Sequence, residues 1–133
     1  MNNVADDLWL RLQEILIAFA DRLAASDPSL LRDVGRSSNN AFLLRAYLAF
    51  TRHKDAHGVA ITVDVQSNGK KLTIESDACH DDGKVIASGP SAAISLSEDP
   101  SDIEAAVKEW LCRFEPWLLE NEPAVAMATS QLS

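Results

Sequence analysis

Residues 59–78, VAITVDVQSNGKKLTIESDA, carry the clearest structural pattern in the sequence. Apolar and polar residues alternate through its first half, which is the period of a β-strand with one buried face. Asn68-Gly69 follows, and this dipeptide is the strongest short-range signal for a hairpin turn. With these two residues as the turn, Val65 faces Leu72, and apolar residues meet apolar residues along both strands. We therefore predict an antiparallel hairpin here.

Two further strands are predicted after the hairpin. Asp82-Gly83 is a second turn signal, and a turn there pairs Ala78 with Ala87. Gly89-Pro90 breaks the third strand, because proline cannot donate a hydrogen bond to the sheet. Apolar and small polar residues alternate again over residues 92–96 and make a fourth strand.

Helices are predicted on the N-terminal side of this sheet. Residues 4–25 repeat apolar side chains with helical spacing. Asp27-Pro28 is a typical N-cap and first-turn pair, which predicts a short second helix that ends at Gly35. Residues 41–57, AFLLRAYLAFTRHKDAH, are rich in Leu and Ala and contain no Val or Ile. Intrinsic propensity therefore favours a third helix there.

A closing helix is predicted after the sheet. It begins at Asp99-Pro100, carries an apolar stripe over residues 103–114, and should kink or end at Pro116. Residues 122–133 show no apolar pattern, and we expect a disordered tail. The predicted fold class is α+β, with one domain over residues 1–121. Its core is a four-stranded antiparallel meander, with N-terminal helices and a C-terminal helix packed mainly on one face.

Composition and charge exclude several classes of protein. The 133 residues are 47% hydrophobic and 24% charged, which is typical of a globular chain and not of a collagen-like or wholly disordered one. The net charge is -8. Residues 1–54 hold seven Lys/Arg and six Asp/Glu, whereas residues 55–133 hold five and fourteen. This field repels nucleic acid and anionic membranes and attracts basic proteins.

We expect no signal in this sequence that would take the chain out of the cytoplasm. No apolar run reaches the ~18 residues of a membrane span. Asp6 and Asp7 stand where a secretory signal would carry Lys or Arg. The two cysteines are too few for a disulfide scaffold and fit a reducing compartment. We expect a cytoplasmic protein; its oligomeric state is left open.

Histidines and a cysteine offer a weak metal hypothesis. His53 and His57 are four residues apart and would share one face of a helix, and Cys79 and His80 lie next to two aspartates. No paired CxxC or HExxH pattern supports a site, and Asp55 stands inside HKDAH where a Glu beside the first histidine would be needed. Two exposed histidines and a turn explain the pattern more simply, so no metal or cofactor is expected.

A catalytic constellation is not found. Asp64, Glu75 and Asp77 project from one face of the hairpin, and clustered carboxylates can bind Mg²⁺ or act as acid and base. Their spacing is close to a D…ExK nuclease layout, but Asp77 stands where that layout needs Lys. GxSxG and phosphate-cradling glycine motifs are also missing from the sequence. We expect a protein that is not an enzyme and whose acidic sheet face meets solvent or a partner.

Two tryptophans are candidates for a binding surface. Trp9 lies off the apolar stripe of the first helix, and Trp117 follows Pro116. Exposed tryptophans often dominate the affinity of protein interfaces. Packing between helices would explain the same two residues, and this choice stays open.

The layout resembles the small acidic immunity proteins that bacteria make against secreted polymorphic toxins. The resemblance covers roughly residues 59–119 and rests on the size, the leading helix, the hairpin, the turn and strand DDGKVIAS and the helix after EDP. In that class an acidic face often docks tightly onto a basic toxin. The resemblance implies that the partner meets the following carboxylates: Asp64, Glu75, Asp77, Asp81 and Asp82.

Two alternatives remain beside this interpretation. A secretion-type chaperone is also small, acidic and α+β, and it would hold an effector segment on exposed apolar helix surface. Such chaperones usually place a helix among the strands, and residues 59–97 leave no room for one. A small metal-assisted enzyme would use the region of His53, His57 and Cys79.

Overall fold

A computed structural model describes residues 2–38, 42–54 and 56–133, with the side chains of residues 2 and 3 left out of the description. It has the α+β architecture that the sequence predicts, with a helix before the sheet and helices after it. The elements, in chain order, are α1 (Asn2–Ser26), β1 (Leu31–Ser37), β2 (Leu44–Thr51), β3 (Val59–Ser67), β4 (Lys71–His80), β5 (Val85–Ser88), β6 (Ala92–Ser95), α2 (Pro100–Glu120) and α3 (Glu122–Ser130).

The sheet is an antiparallel meander in the order β1-β2-β3-β4-β5, and β6 also pairs with β4. Asp77 pairs with Ser88 and Ile74 pairs with Ala92, so β5 and β6 lie one after the other along the same edge of β4. They form one outer strand that is interrupted at Gly89-Pro90. The predicted strand break is therefore present, but the fourth predicted strand continues the third instead of pairing with it.

The central hairpin is present with a register that differs by two residues from the prediction. Val65 pairs with Ile74, not with Leu72. The turn is centred on Gly69-Lys70, and Gly69 takes a φ of 88°, a conformation that glycine reaches without steric cost. A shift of two residues keeps every side chain on its predicted face, because side chains alternate with a period of two. The second turn does pair Ala78 with Ala87 as predicted.

The prediction of a helix over residues 41–57 is wrong, because this region contains β2. Residues 41 and 55 lie outside the described part of the chain. Within β2, buried and half-buried residues alternate strictly from Leu44 to Thr51. The strand pairs on both sides, with β1 and with β3, and this burial outweighs the helical propensity of Leu and Ala.

The short helix predicted after Asp27-Pro28 is also wrong, since β1 occupies its place. This strand pairs with β2 along its whole length, from Leu31 opposite Thr51 to Ser37 opposite Arg45. Gly35 lies within the strand and does not end a helix. A Cβ at this position would overlap the hydroxyl and ring of Tyr47, which lies across it.

The core lies between one face of the sheet and the helices. The inward side chains of β2, β3 and β4 are almost all buried, and α1, α2 and α3 supply the other half of the core. Residues 122–133, expected to be a disordered tail, form α3 over most of their length, and Val125 is fully buried. The helix before it continues through Pro116 to Glu120.

The break between β5 and β6 is tied to α2. The carbonyl oxygen of Pro90 accepts hydrogen bonds from the indole N–H of buried Trp110 at 2.9 Å and from the Ser76 hydroxyl at 2.8 Å. The N–H of Gly89 donates to the carbonyl of Ser76 at 2.9 Å. The polar groups at this break are therefore satisfied inside the protein, as buried backbone requires.

Arg52 joins three segments that are far apart in the sequence. Its Nε donates to the carbonyl of Leu132 at 3.0 Å. Its two terminal nitrogens donate to the Asp27 carboxylate at 3.0 and 2.5 Å, to the Ser29 hydroxyl at 2.8 Å and to the Thr129 carbonyl at 2.8 Å. All five N–H donors of the guanidinium therefore have a partner. The positive charge also lies at the C-terminal end of α3, where the helix dipole favours a cation.

This arrangement predicts a pH-dependent contribution of Asp27 to stability. The hydrogen bond from Arg52 holds the pKa of Asp27 below its ordinary 3.8. A lowered carboxyl pKa stabilises the folded state above the ordinary pKa and loses that effect as the pH falls through the lowered one. We expect Asp27→Asn to lower the urea midpoint at neutral pH, and the gap to wild type to close in acid.

The matched control for this prediction is Asp33→Asn. Asp33 is exposed and has no ion pair among the described residues, so its substitution should change the midpoint little. A gap between Asp27→Asn and wild type that stays constant down to the lowest pH would show that the carboxylate charge does not contribute.

Candidate functional site

One side of the sheet is not packed against a helix in the described part of the chain, and we call it the open face. Its side chains point away from the buried core and alternate with the fully buried residues of β2, β3 and β4. Strand pairing places the following residues on the open face: Asp33, Arg45, Tyr47, Ala49, Ala60, Thr62, Asp64, Gln66, Thr73, Glu75, Asp77 and Cys79. Lys71, at the start of β4, points to the same face. The open face therefore holds four acidic and two basic residues of these strands and carries net negative charge.

Asp64 is bound to Arg45 on the neighbouring strand. The Nε of Arg45 donates to Oδ1 at 2.6 Å, and its Nη2 donates to Oδ2 at 3.1 Å. These hydrogen bonds raise the pKa of Arg45. The guanidinium also lies 4.1 Å from the centre of the Phe42 ring. Asp64 is therefore oriented and partly neutralised within the protein by Arg45.

Asp77 and Glu75 differ in their contacts. The Thr62 hydroxyl donates to Oδ1 of Asp77 at 2.8 Å, across the β3–β4 pair. Glu75 is exposed, lies directly opposite Asp64, and makes no hydrogen bond or ion pair in the described part of the chain. Like charges directly opposite each other on adjacent strands repel. Glu75 is thus, like Asp33, a carboxylate of this face that is available to a partner.

Asp81 and Asp82 hold loops together at the end of β4. Oδ2 of Asp81 accepts a hydrogen bond from the N–H of Gly58 at 2.6 Å. Oδ1 of Asp82 accepts one from the N–H of Lys84 at 2.9 Å, inside the turn. Both residues are exposed and negatively charged, but they lie beyond the strand pairs that build the open face.

Trp9 and Trp117 lie on the helices and not beside the acidic residues. Both are half-buried and pack against the core. The guanidinium of Arg36 lies 5.7 Å from the centre of the Trp9 ring, and the ring of Trp117 lies 5.8 Å from that of Phe114. The structure does not bring the two tryptophans together with the acidic face.

The candidate metal ligands are spread apart. His57 is 97% exposed, with Nδ1 3.7 Å from the Asp81 carboxylate, and His53 lies in an exposed turn, not on a helix. Cys79 and His80 are neighbours on a strand and point to opposite faces. Asp55 lies outside the described residues. Within the described ranges, no three His, Cys, Asp or Glu side chains are placed to hold a metal ion.

Sequence reasoning missed Arg45, Tyr47 and Asp33 on the open face, because it placed all three in helices. One signal could have found Arg45 and Tyr47. Residues 44–51 alternate apolar residues with Arg45, Tyr47, Ala49 and Thr51, which is a strand pattern hidden by the many Leu and Ala residues.

Comparisons with known proteins do not indicate a function, so the function has to be inferred from the fold and the open face. No protein-family model matches the chain, and neither the curated proteins nor the solved structures contain a significant match. Among the described residues, no helix has the length and apolarity needed to cross a membrane.

The pKa of the Cys79 thiol is sensitive to the negative charge of the open face. Burial and the nearby carboxylates of Asp77, Asp81 and Asp64 all raise its pKa. A raised pKa lowers the fraction of reactive thiolate at neutral pH. Cys112, by contrast, is exposed on α2. The two cysteines should therefore differ in reactivity.

We expect Cys79 to react more slowly than Cys112 with a thiol-specific disulfide reagent, measured in the single variants Cys112→Ser and Cys79→Ser. Adding Asp77→Asn to Cys112→Ser should speed the reaction of Cys79 several-fold, because it removes a negative charge next to the thiolate. Adding Glu109→Gln instead, on the exposed surface of α2, should change nothing. Equal rates with and without Asp77→Asn would contradict this account.

Proposed function

We propose that this protein is a non-enzymatic protein-binding module of the immunity type, which docks its open face onto a basic partner protein and inhibits it. The observation that carries the proposal is the open face itself. A sheet face that no helix covers in the described part of the chain, with net negative charge and the exposed carboxylate of Glu75, is suited to a flat basic surface.

Two features of the open face prepare it for such a partner. Arg45 and Thr62 hold the carboxylates of Asp64 and Asp77 in place, so that little side-chain entropy is lost on binding. Glu75 lies opposite Asp64, and a Lys or Arg of the partner placed between them would relieve their repulsion. Tyr47 adds an aromatic side chain, a residue type that is enriched at interfaces.

The resemblance to bacterial immunity proteins supports this proposal at the level of the class. Asp64, Glu75 and Asp77 are the proposed contact residues, and Asp81 and Asp82 lie at the edge of the same acidic region. We also propose that the protein acts in the cytoplasm, since both cysteines are free thiols. No residue on this face is assigned a catalytic role.

The proposal predicts that charge reversal on the open face slows binding. The basic partner is isolated from the source organism on the immobilised protein and identified by mass spectrometry. We expect Glu75→Lys/Asp77→Lys to reduce its association rate on the order of tenfold or more, because electrostatic steering is lost, and we expect added salt to reduce the wild-type rate. Both rates are measured by surface plasmon resonance.

The control is Glu109→Lys/Glu120→Lys, which makes the same change in net charge on exposed α2 residues and should bind as wild type does. Mixed partners that remain bound in salt would favour the chaperone alternative, whose apolar contacts tolerate salt. A protein that retains no partner but binds zinc with a gain in stability would favour the metal-assisted enzyme. Equal losses in the two double variants would contradict docking through the open face.

A further inference from the structure

The helical side of the molecule has a groove between α1 and α2. Near the start of both helices it has a volume of about 470 Å³ and is lined by residues of these two helices only, among them Leu8, Leu10, Val107 and Leu111. Residues further along α1 face residues further along α2, so the helices run side by side in the same direction. We call this part the inter-helix groove.

The floor of the inter-helix groove is apolar. Leu8, Val107 and Leu111 are almost fully buried beneath it. Leu10 stands at its edge with 59% of its surface exposed, and Val4 is half-buried beside it. A single exposed leucine is ordinary on a protein surface. Here the exposed leucine adjoins an apolar depression, and the two together form a continuous apolar surface that charged residues flank.

The charges along the groove form two bands. Asp7 on α1 and Glu104 on α2 make an acidic band. One helical turn further on, Arg11 and Lys108 make a basic band. Residues that face each other across the groove carry charges of the same sign. Residues one turn apart along each helix carry charges of opposite sign. Lys108 reaches Glu104 at 3.8 Å, whereas Arg11 has no ion pair among the described residues.

This pattern is complementary to itself. Consider a two-fold axis that lies in the plane of contact, between the bands and perpendicular to both helices. It places the acidic band of one copy on the basic band of the other, and the basic band of the first on the acidic band of the second. An interface of this kind uses the same surface on both subunits, and it must match its own rotated image. The groove meets this condition, because Leu8, Leu10 and Val107 lie between the two bands and would meet their own copies near the axis.

We propose that the inter-helix groove is the interface of a homodimer, in which α1 and α2 of one copy pack antiparallel against α1 and α2 of a second copy. Burial of the exposed Leu10 and the half-buried Val4 at the edge of the groove supplies the apolar part of the affinity. The bands set the orientation, because exposed ion pairs add little energy but like charges in contact oppose the wrong arrangement. The open face lies on the other side of the sheet and stays free in the dimer.

The first measurement is the mass of the wild-type chain in solution, by sedimentation velocity over a range of concentrations. We expect a dimer that dissociates on dilution and is weakened by salt. Leu10→Ser should shift the equilibrium to the monomer with an unchanged circular dichroism spectrum, because Leu10 is exposed in the single chain. A wild-type chain that stays monomeric at the highest concentration reached would overturn the proposal.

A charge-swap pair tests the orientation. Arg11→Glu/Lys108→Glu makes both bands acidic, and Asp7→Lys/Glu104→Lys makes both bands basic. We expect each variant to be monomeric alone, because like bands would meet. Mixed in equal amounts, the two should form a heterodimer, seen by native mass spectrometry as a species with one chain of each mass.

Two results would separate this proposal from the proposed function. Glu75→Lys/Asp77→Lys, on the open face, and Glu109→Lys/Glu120→Lys, on α2 outside the groove, should both leave the dimer intact. Charge-swap variants that remain dimeric alone, or that fail to pair when mixed while the wild type dimerises, would overturn the groove as the interface. Neither result would bear on binding by the open face.

Discussion

The sheet buries one face and not the other, and the two proposed binding surfaces, the open face and the inter-helix groove, follow from this constraint. Inward residues of β2, β3 and β4, from Leu44 to Ile74, are excluded from solvent almost completely. Apolar burial of this extent is the main source of folding free energy, and it requires a covering layer. All three helices supply that layer. The opposite face mixes small and aromatic side chains with polar and charged ones, and the acidic residues of β3 and β4 lie there.

Closing the core depends on the end of the chain. Val125 in α3 is fully buried, and the carbonyls of Thr129 and Leu132 accept hydrogen bonds from Arg52. Because Arg52 follows β2 and also binds Asp27 after α1, one guanidinium holds the start, middle and end of the sequence together. A second set of polar contacts, at Pro90, fixes α2 to the interrupted edge strand.

The two proposed surfaces use charge in different ways. On the open face, Arg45 and Thr62 orient carboxylates that remain in excess, so the face as a whole is negative. In the inter-helix groove the positive and negative charges are equal in number. Their order along the helices determines which orientation of a partner fits. An excess of one sign favours a partner of the opposite sign, whereas alternation favours a copy of the same chain. A dimer formed through the groove would present two open faces.

The sequence by itself determined the α+β class, the central hairpin, the second turn and the acidic residues of β3 and β4, because strand alternation and glycine turns are local signals. It did not determine β1 and β2. Leu and Ala favour helix locally in β2, and Asp27-Pro28 resembles a helix start before β1. Pairing within the sheet makes both segments strands, and β2 is also buried against the helices. For the same reason, the contacts of Arg45 on the open face and of Arg52 beneath α3 depend on the tertiary structure, since their partners lie up to 80 residues away.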